Sequence, residues 1–209
     1  MYMPAAFREQ DTSTLHQQMD QTRLATLMTS GQQGLEASHV PLLLRPDQGA
    51  HGTLYGHLAK ANPQWRDLAS GCEAMVIFPG SDAYISPSLY PSKAEHEKVV
   101  PTWNYLAVHA YAQAEVFTDA QRLRQLVSDL TAKHEAGRAQ PWSIDDAPAD
   151  YIEKMLGAIV GFSLVIERLE GKRKLSQNRS AADIAGVRDG LFASLDPQDQ
   201  AVARLMSLT

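Results

Sequence analysis

The chain has 209 residues, of which 44% are hydrophobic, and its formal net charge is -5. This composition suits one large domain with a sizeable core and excludes a disordered chain. The acidic balance argues against non-specific DNA binding, which phosphate neutralisation drives, although a local basic patch could still contact nucleic acid. Cys72 is the single cysteine, so a disulfide framework is excluded and a reducing, cytoplasmic compartment is expected. No signal peptide is expected, because "MYMPAAFREQ" lacks a basic start followed by an apolar core, and no membrane span is expected, because no run approaches about 18 apolar residues.

Turn signals in the first half of the chain predict antiparallel strands with short helices. The segment "DTSTLHQQMDQ" predicts a helix capped by Asp11 or Thr12. The segments "RLATLMTS" and "LEASHVPLLL" predict a hairpin around the turn "GQQG", and "TLYGHLA" predicts a third strand, followed by a short helix from Pro63. A second hairpin is predicted from "EAMVIF" and "AYISPS", because they flank the Pro/Gly turn "PGSD".

The second half begins with a polar segment, residues 89–101, predicted to be a mobile loop. The longest predicted strand is "TWNYLAVHAYAQAEVF", and the helix "TDAQRLRQLVSDLTAKHE" follows with a capping box at Thr118 and Gln121. The segment "DAPADYIEKMLG" predicts another helix, and "AIVGFSLVIERLEG" predicts one buried strand. Two helices are predicted to finish the chain, the last with Asp196 as its N-cap and Pro197 at its first position.

These elements predict a mostly β fold with peripheral helices (α+β), arranged as an antiparallel barrel that is closed or half-closed. A doubly wound parallel sheet fits less well, because helices do not alternate regularly with strands. We expect residues 1–175 to form the barrel domain with helical insertions. Residues 176–209 are expected to form a C-terminal helical extension packed on the barrel.

The join between the third strand and the short helix, "GHLAKANPQW", is the first candidate site. Asn62 and Pro63 suit a helix start, where free amides favour an anion, and Lys60 lies two residues upstream. Trp65 could cover something flat, and His57 shares a strand face with Tyr55. A phosphate beside a flat ring system is therefore one interpretation. The alternative is an ordinary capped helix, with Trp65 in the core and Lys60 in solvent.

Two strands add candidate residues. Ser38 and His39 precede Pro41, which cannot donate a ladder hydrogen bond and predicts an edge or bulge, a feature often found beside binding sites. The alternative is a tolerated edge proline with a surface histidine. On the longest strand, one face is small and apolar, whereas the other contains Trp103 and is too aromatic for bare solvent. That second face predicts contact with a ligand, another subunit, or helices of the same chain.

Lys172, Arg173 and Lys174 form the densest positive run in the chain. A solvated turn is one interpretation. With the neighbouring Ser176 and Gln177, the cluster could instead bind a phosphate or contact DNA. There is no Walker A loop, no GxGxxG before a helix and no GxSxG elbow, so no catalytic residue is identified and no metal site is predicted.

Four stretches together resemble the PaiB family of FMN-binding negative transcriptional regulators. They are "MYMPAAF"; "SHVPLLL" with "LYGHLAKANPQW"; "YISPSLY" with "VPTWNYLAVHAYAQAEVF"; and "LEGKRKLSQN". The resemblance extends from the first residues to about residue 180. The sequence departs from the family pattern in a longer loop at "SKAEHEK" and in "LEGKRK", which replaces "IEGK" plus one residue.

The resemblance implies a split antiparallel β-barrel of the FMN-binding type, a flavoprotein that forms a homodimer with FMN at the subunit interface. By motif, it places the phosphate near Lys60, Asn62 and Gln64, with Ser38 and His39 on the adjoining strand. Beside the ring or its side chain it places Trp65, Trp103 and Asn104. It also implies that Lys174, Ser176 and Gln177 close the site.

Three functions are compatible with these features. The first is a flavin-binding repressor of transcription, which the resemblance implies. The second is a flavin-dependent oxidoreductase of the pyridoxamine-phosphate-oxidase and flavin-reductase group, in which the cofactor supplies the chemistry. The third is a haem-binding barrel that would use His39, His57 or His109, whose spacing specifies nothing by itself.

Overall fold

The structure is a computed structural model that describes residues 1–31 and 34–206. Within those residues there are nine strands and seven α-helices. The strands are β1 Arg8–Glu9, β2 Ala25–Gly31, β3 Gly34–Val40, β4 Leu43–Arg45, β5 Thr53–Ala59, β6 Glu73–Ile85, β7 Thr102–Phe117, β8 Ile159–Val165 and β9 Arg168–Lys174. The helices are α1 Thr12–Gln21, α2 Gln64–Ala69, α3 Lys93–His96, α4 Ala120–Glu135, α5 Ala149–Leu156, α6 Ala181–Phe192 and α7 Pro197–Leu205.

The strands form one hydrogen-bonded sheet in the order β3-β2-β6-β7-β8-β5-β4, and β9 pairs with β7 and β1. The β2–β3, β4–β5, β5–β8 and β7–β8 pairs are antiparallel. This agrees with the antiparallel pairing predicted from the short turns. The third predicted strand and the longest one occur with the predicted bounds, as β5 and β7.

The chain divides into two compact units. The junction unit comprises residues 16–78 and 109–169 and contains β2–β5, β8, α2, α4 and α5. One of its core clusters packs α4 and α5 against strand residues such as Leu43 and Phe117. The terminal unit comprises residues 1–15, 79–108 and 170 to the end of the described chain. Its core cluster joins α6 and α7 to strand residues such as Ile85 and Leu106.

Pro41 divides the strand predicted for "LEASHVPLLL" into β3, which ends at Val40, and β4, which begins at Leu43. Proline has no N–H to donate to a ladder, so pairing stops there. The predicted edge is present, because β3 and β4 lie at opposite ends of the strand order. The predicted "GQQG" turn includes Gln32 and Gln33, which lie outside the described residues.

Two other strand predictions were wrong. The expected hairpin around "PGSD" is one continuous strand, β6, in which Gly80 does not adopt the positive φ that tight hairpin turns need. The single strand expected for "AIVGFSLVIERLEG" is two strands, β8 and β9. They are separated at Ile166 and Glu167, whose amides donate to Gly52 O and Tyr111 O.

Helix starts follow short polar side chains, as predicted, with one shift. Asp11 accepts the Thr14 amide at the start of α1, and Asp196 caps α7. For α4 the cap is Asp119, not Thr118, because the Asp119 carboxylate accepts the Arg122 amide.

The segment predicted as a mobile loop contains α3 instead. The amide and hydroxyl of Ser92 both donate to the carboxylate of Asp183 on α6, over 3.1 and 2.9 Å. These two bonds, both within the terminal unit, attach the segment to the helix.

Candidate functional site

Asn62 organises the loop between β5 and α2 in the junction unit. Its Nδ2 donates to Ser38 Oγ on β3 over 2.9 Å, and its Oδ1 accepts the Gln64 amide over 3.0 Å. The side chain therefore satisfies an amide at the start of α2, as predicted for a capping residue, although the helix itself begins at Gln64. The structure thus brings together three of the residues chosen from the sequence.

Gln64 is completely buried, with 0% of its surface exposed. Its Nε2 lies 3.1 Å from Leu27 O, 3.2 Å from Glu36 O and 3.3 Å from Thr29 Oγ1. A carboxamide nitrogen has two hydrogens, so β2 and β3 use all its donor capacity. Gln64 therefore fastens α2 to the β2–β3 hairpin. Its Oε1 is buried and has no hydrogen-bond partner in the described part of the chain.

Lys60 and Trp65 lie near the two ends of the loop between β5 and α2. Trp65 Nε1 donates to the backbone carbonyl of Lys60 over 3.0 Å, and the guanidinium of Arg66 lies 5.0 Å from the Trp65 ring centroid. The Lys60 side chain is exposed, and it forms no salt bridge within residues 1–31 and 34–206. Arg45 and Lys133 of the same unit, by contrast, each pair with a carboxylate.

The two histidines chosen here have different environments. His39 is exposed on β3, and its Nδ1 lies 3.1 Å from Thr26 Oγ1. His57 is half-buried on β5 opposite Gly161, and its Nδ1 is buried without a hydrogen-bond partner among the described residues. Burial lowers the pKa of His57. The ring is therefore neutral near pH 7.

This shift makes stability depend on pH. Because the folded-state pKa of His57 lies below the unfolded value of about 6.5, the unfolded chain binds the proton more readily. The contribution of the neutral His57 ring to the stability of the fold is fully present above a pH of about 6.5 and decreases as the pH falls below it. We expect the melting temperature to fall less in His57→Gln than in the parent protein between about pH 7.5 and about pH 5.5. Equal falls would contradict a contribution from His57.

Five chosen residues lie in the terminal unit, and two of them form a buried pair. Asn104 on β7 is 0% exposed, and its Nδ2 donates to Ser176 Oγ over 2.9 Å. Ser176 has a positive φ of 66°, a conformation that costs a non-glycine residue energy unless its surroundings fix it. The Asn104 side chain therefore holds the turn after β9.

Lys174 and Gln177 also contact their own unit. Lys174 Nζ donates to Thr102 Oγ1 over 2.5 Å and to the carbonyl of Trp103. Burial, together with the nearby cations, lowers the pKa of Lys174. Gln177 Nε2 donates to Arg173 O over 2.5 Å. Both side chains fix the end of β9.

Trp103 on β7 is 53% exposed. It packs edge-on against Tyr84 of β6, which is 50% exposed, with ring centroids 5.7 Å apart. Sequence reasoning missed Tyr84. The signal was available in the alternation of "AYIS", since Ala83 and Ile85 on either side are buried. The opposite face of β7, from Asn104 to Ala112, is buried as predicted.

The basic cluster of Lys172, Arg173 and Lys174 contacts the protein itself. Lys172 is 7% exposed, and its ammonium lies 5.0 Å from the Tyr105 ring centroid. Arg173 Nε lies 3.6 Å from a carboxylate oxygen of Glu9. With Lys174 bonded to Trp103, none of the three is a freely solvated cation. The expected solvated turn is instead part of β9.

Histidine, cysteine and acidic side chains form no group of three that could hold a metal ion within the described ranges. His39, His57 and His109 therefore do not form such a group together in the described residues. In the part of the chain that the structure describes, every helix is too short or too polar to cross a membrane.

Residues 1–168 match the family described as "Putative FMN-binding domain". The chain is also 32% identical to Protease synthase and sporulation protein PAI 2 (PaiB) of Bacillus subtilis, over 99% of this chain and 96% of that protein. The chain belongs to this family of putative FMN-binding domains. An uncharacterized protein of Aspergillus fumigatus is 33% identical over 91% of this chain and 90% of its own length. The predicted PaiB resemblance is confirmed, and FMN is the cofactor.

Solved structures support the fold. The FAD and haem binding protein of Mycobacterium smegmatis aligns with a TM-score of 0.61 at 19% identity, covering 85% of this chain and 78% of that one. The flavocytochrome Anf3 of Azotobacter vinelandii aligns with a TM-score of 0.58 at 17% identity, covering 80% and 69%. The predicted split antiparallel β-barrel with peripheral helices is confirmed.

The residues of the junction unit are suited to an anionic cofactor such as FMN. Lys60 offers an exposed ammonium that no carboxylate neutralises in the described chain, two residues before Asn62, which bonds Ser38. The indole of Trp65 is half-buried, so part of its surface is open. By contrast, the start of α2 is a weak anion site, because the Gln64 amide already bonds Asn62 and the Arg66 amide bonds Pro63 O.

Proposed function

We propose that this PaiB-like protein binds FMN through the β5–α2 junction, forms a homodimer and lowers the transcription of target genes. The observation that carries the proposal is the exposed ammonium of Lys60, with which no carboxylate of the described residues pairs, beside an ordered set of hydrogen-bonding side chains. A charged donor that its own chain leaves unpaired is available to a phosphate. Bound FMN would supply hydride or electron transfer through its ring.

Ser38 and Asn62 have a positioning role in this proposal. The bond between them fixes the loop that contains Lys60. The Gln64 side chain anchors the same loop to the backbone of β2. The protein therefore presents Lys60 from a rigid turn, which reduces the entropy lost when a ligand binds.

Lys60→Ala is expected to weaken FMN binding by about 1 to 3 kcal/mol, the usual size of a lost charge-assisted hydrogen bond. Titration of the flavin-free protein with FMN, followed by flavin fluorescence, measures the change. The control is Lys154→Ala, which removes another exposed lysine of the junction unit, on α5. Equal affinity of the parent and Lys60→Ala would remove Lys60 from the site.

The homodimer is supported by the exposed Tyr84–Trp103 pair. Large aromatic side chains left half in water on adjacent strands are enriched at protein interfaces. A native mass of twice 23.0 kDa is expected for the parent protein, and Trp103→Glu is expected to shift it toward 23.0 kDa. A monomeric parent protein would refute this part of the proposal.

The regulator role is supported by the relative from Bacillus subtilis, whose name is Protease synthase and sporulation protein PAI 2. Direct DNA contact by Lys172, Arg173 and Lys174 would require these side chains to leave their present partners. A gel shift at several stated salt concentrations is the test, because phosphate contacts weaken as salt rises. Salt-sensitive binding of a target promoter supports direct repression, and no binding at any salt concentration refutes it.

A flavin-dependent oxidoreductase is the second candidate. It is favoured by the structural neighbours, whose names describe a FAD and haem binding protein and a flavocytochrome. The absorption spectrum of the freshly purified protein identifies flavin or haem. NAD(P)H oxidation by the flavin-loaded protein then tests this candidate, and inactivity with a range of small acceptors counts against it.

A further inference from the structure

A cavity of about 230 Å³ lies beside α4 in the junction unit, and the residues chosen from the sequence take no part in it. Its walls come from α4, from β4 and β5 with the turn between them, and from the end of β7. We call it the α4 cavity. It is lined by Leu43, Arg45, Gln48, Tyr55, Phe117, Arg122, Gln125, Leu126 and Asp129.

The α4 cavity has an apolar wall of Leu43, Phe117 and Leu126, which are all buried. The guanidinium of Arg122 lies 3.9 Å from the Phe117 ring centroid. A guanidinium layered on an aromatic ring leaves its edge available for planar hydrogen bonding. The cavity therefore joins an apolar surface to flat cationic groups, a combination typical of sites for small organic ligands.

Hydrogen-bond donors remain available on both arginines. Arg45 uses only Nη2, which bonds Asp129 over 2.5 Å. Arg122 uses both Nη atoms, which bond the Glu115 carboxylate over 2.7 and 3.1 Å. An arginine has five N–H donors, so Arg45 keeps Nε and Nη1 and Arg122 keeps Nε within the described structure. Glu115 raises the pKa of Arg122, so that side chain stays charged.

Acceptors in the cavity are mostly occupied. Asp129 accepts from Arg45 at Oδ2 and from Gln125 Nε2 at Oδ1, the latter over 2.8 Å. Gln48 Oε1 accepts from the Tyr55 hydroxyl over 2.7 Å, which leaves the Gln48 amide nitrogen as a donor. Donors thus outnumber acceptors among the groups left over. A ligand that fits must contribute acceptors.

The volume of the α4 cavity is enough for one ring. A cavity of roughly 150 Å³ lined by apolar side chains holds a benzene molecule. The remaining space in the α4 cavity is enough for a substituent of carboxylate size on such a ring.

We propose that the α4 cavity binds a planar, single-ring organic carboxylate. Its ring would lie against Leu43 and Leu126, and its carboxylate would accept from Arg45, Arg122 and Gln48. None of these residues belongs to the proposed FMN junction, so the proposal does not depend on flavin binding.

Benzoate titration of the FMN-loaded protein, followed by calorimetry and by backbone amide chemical shifts, tests this site. Benzoate is expected to bind with saturation and to shift amides of α4 and β5. Benzamide, which lacks the charge, and acetate, which lacks the ring, are expected to bind about tenfold more weakly or worse. Arg45→Met and Arg122→Met are each expected to weaken benzoate binding about tenfold. The control Arg66→Met should leave it unchanged.

Gln125→Trp keeps the test decisive if an arginine variant fails to fold. Gln125 is exposed on α4 at the cavity wall, so an indole there fills the space without entering the core. Loss of benzoate binding in this variant, with the parent melting temperature, supports the proposal. The proposal is overturned by the absence of saturable binding when the FMN-loaded protein is titrated to millimolar benzoate, or by unchanged benzoate binding in Gln125→Trp.

Discussion

Phe162→Ala is expected to lower the free energy of unfolding by about 3 to 5 kcal/mol, the range for removing a buried aromatic side chain. Phe162 on β8 is 1% exposed and lies opposite Gly56 of β5. Its ring covers that glycine so closely that an added Cβ at position 56 would lie 2.6 Å from Phe162 Cζ. The ring therefore fills the space that Gly56 leaves, and the alanine variant would create a cavity beneath β5.

A double-mutant cycle makes this contact testable. Gly56→Ala alone is expected to destabilise the protein, because its methyl group meets Phe162 and also Leu42 Cδ2 at 2.6 Å. In the Phe162→Ala background the same methyl group enters vacated space, so its cost should be smaller. Urea unfolding of the four proteins gives the coupling free energy. Strict additivity would mean that the ring does not press on Gly56.

The elements that the sequence predicted correctly have strong local signals. Burial alternates along β5, and along β7 it alternates from Trp103 to Ala110. The helix α4 has leucines at helical spacing, with Leu123, Leu126 and Leu130 buried. In each case the residues that define the pattern are also those that pack in the core, so local and tertiary preferences agree.

The errors occurred where tertiary pairing overrides a local signal. "PGSD" has turn-forming composition, yet it lies inside β6, which pairs with β2 from Met75 to Ile77 and has β7 as its other neighbour in the sheet. The break between β8 and β9 has no glycine or proline to mark it. It is fixed by the amides of Ile166 and Glu167, which bond carbonyls distant in sequence. Neither partner could be identified from the sequence alone.

The candidate site was predictable as a set of residues but not as a set of contacts. Asn62 at a helix start was visible from its neighbours, whereas its bond to Ser38 depends on how β3 lies beside the loop. The basic run after Glu170 looked solvated. Lys172 is buried because β9 pairs with β1 and because its ammonium meets Tyr105 and the carbonyl of Tyr2. Charge density in the sequence does not reveal such partners.

Gln64→Ala is expected to lower the free energy of unfolding by about 2 to 4 kcal/mol. The substitution leaves the carbonyls of Leu27 and Glu36 without this donor in a site with no exposed surface. Because Gln64 fastens α2 to the hairpin, the loop containing Lys60 loses its anchor, and FMN affinity is expected to fall as well. Urea unfolding measures the first effect, and FMN titration measures the second. Gln121→Ala, an exposed position on α4, is the matched control.

Gln64→Glu tests the Nε2 donor while keeping the shape of the side chain. Glutamate has nearly the same volume, but at neutral pH it would place a carboxylate oxygen against two carbonyls and a hydroxyl that Nε2 now bonds. Burying that charge raises its pKa, so the glutamate protein should be less stable than Gln64→Ala at pH 7 and recover part of the difference as the pH falls. Protonation restores one donor hydrogen where glutamine has two, so recovery should be incomplete. Equal stability of Gln64→Glu and the parent protein at neutral pH would show that the bonds to β2 and β3 do not hold α2 in place.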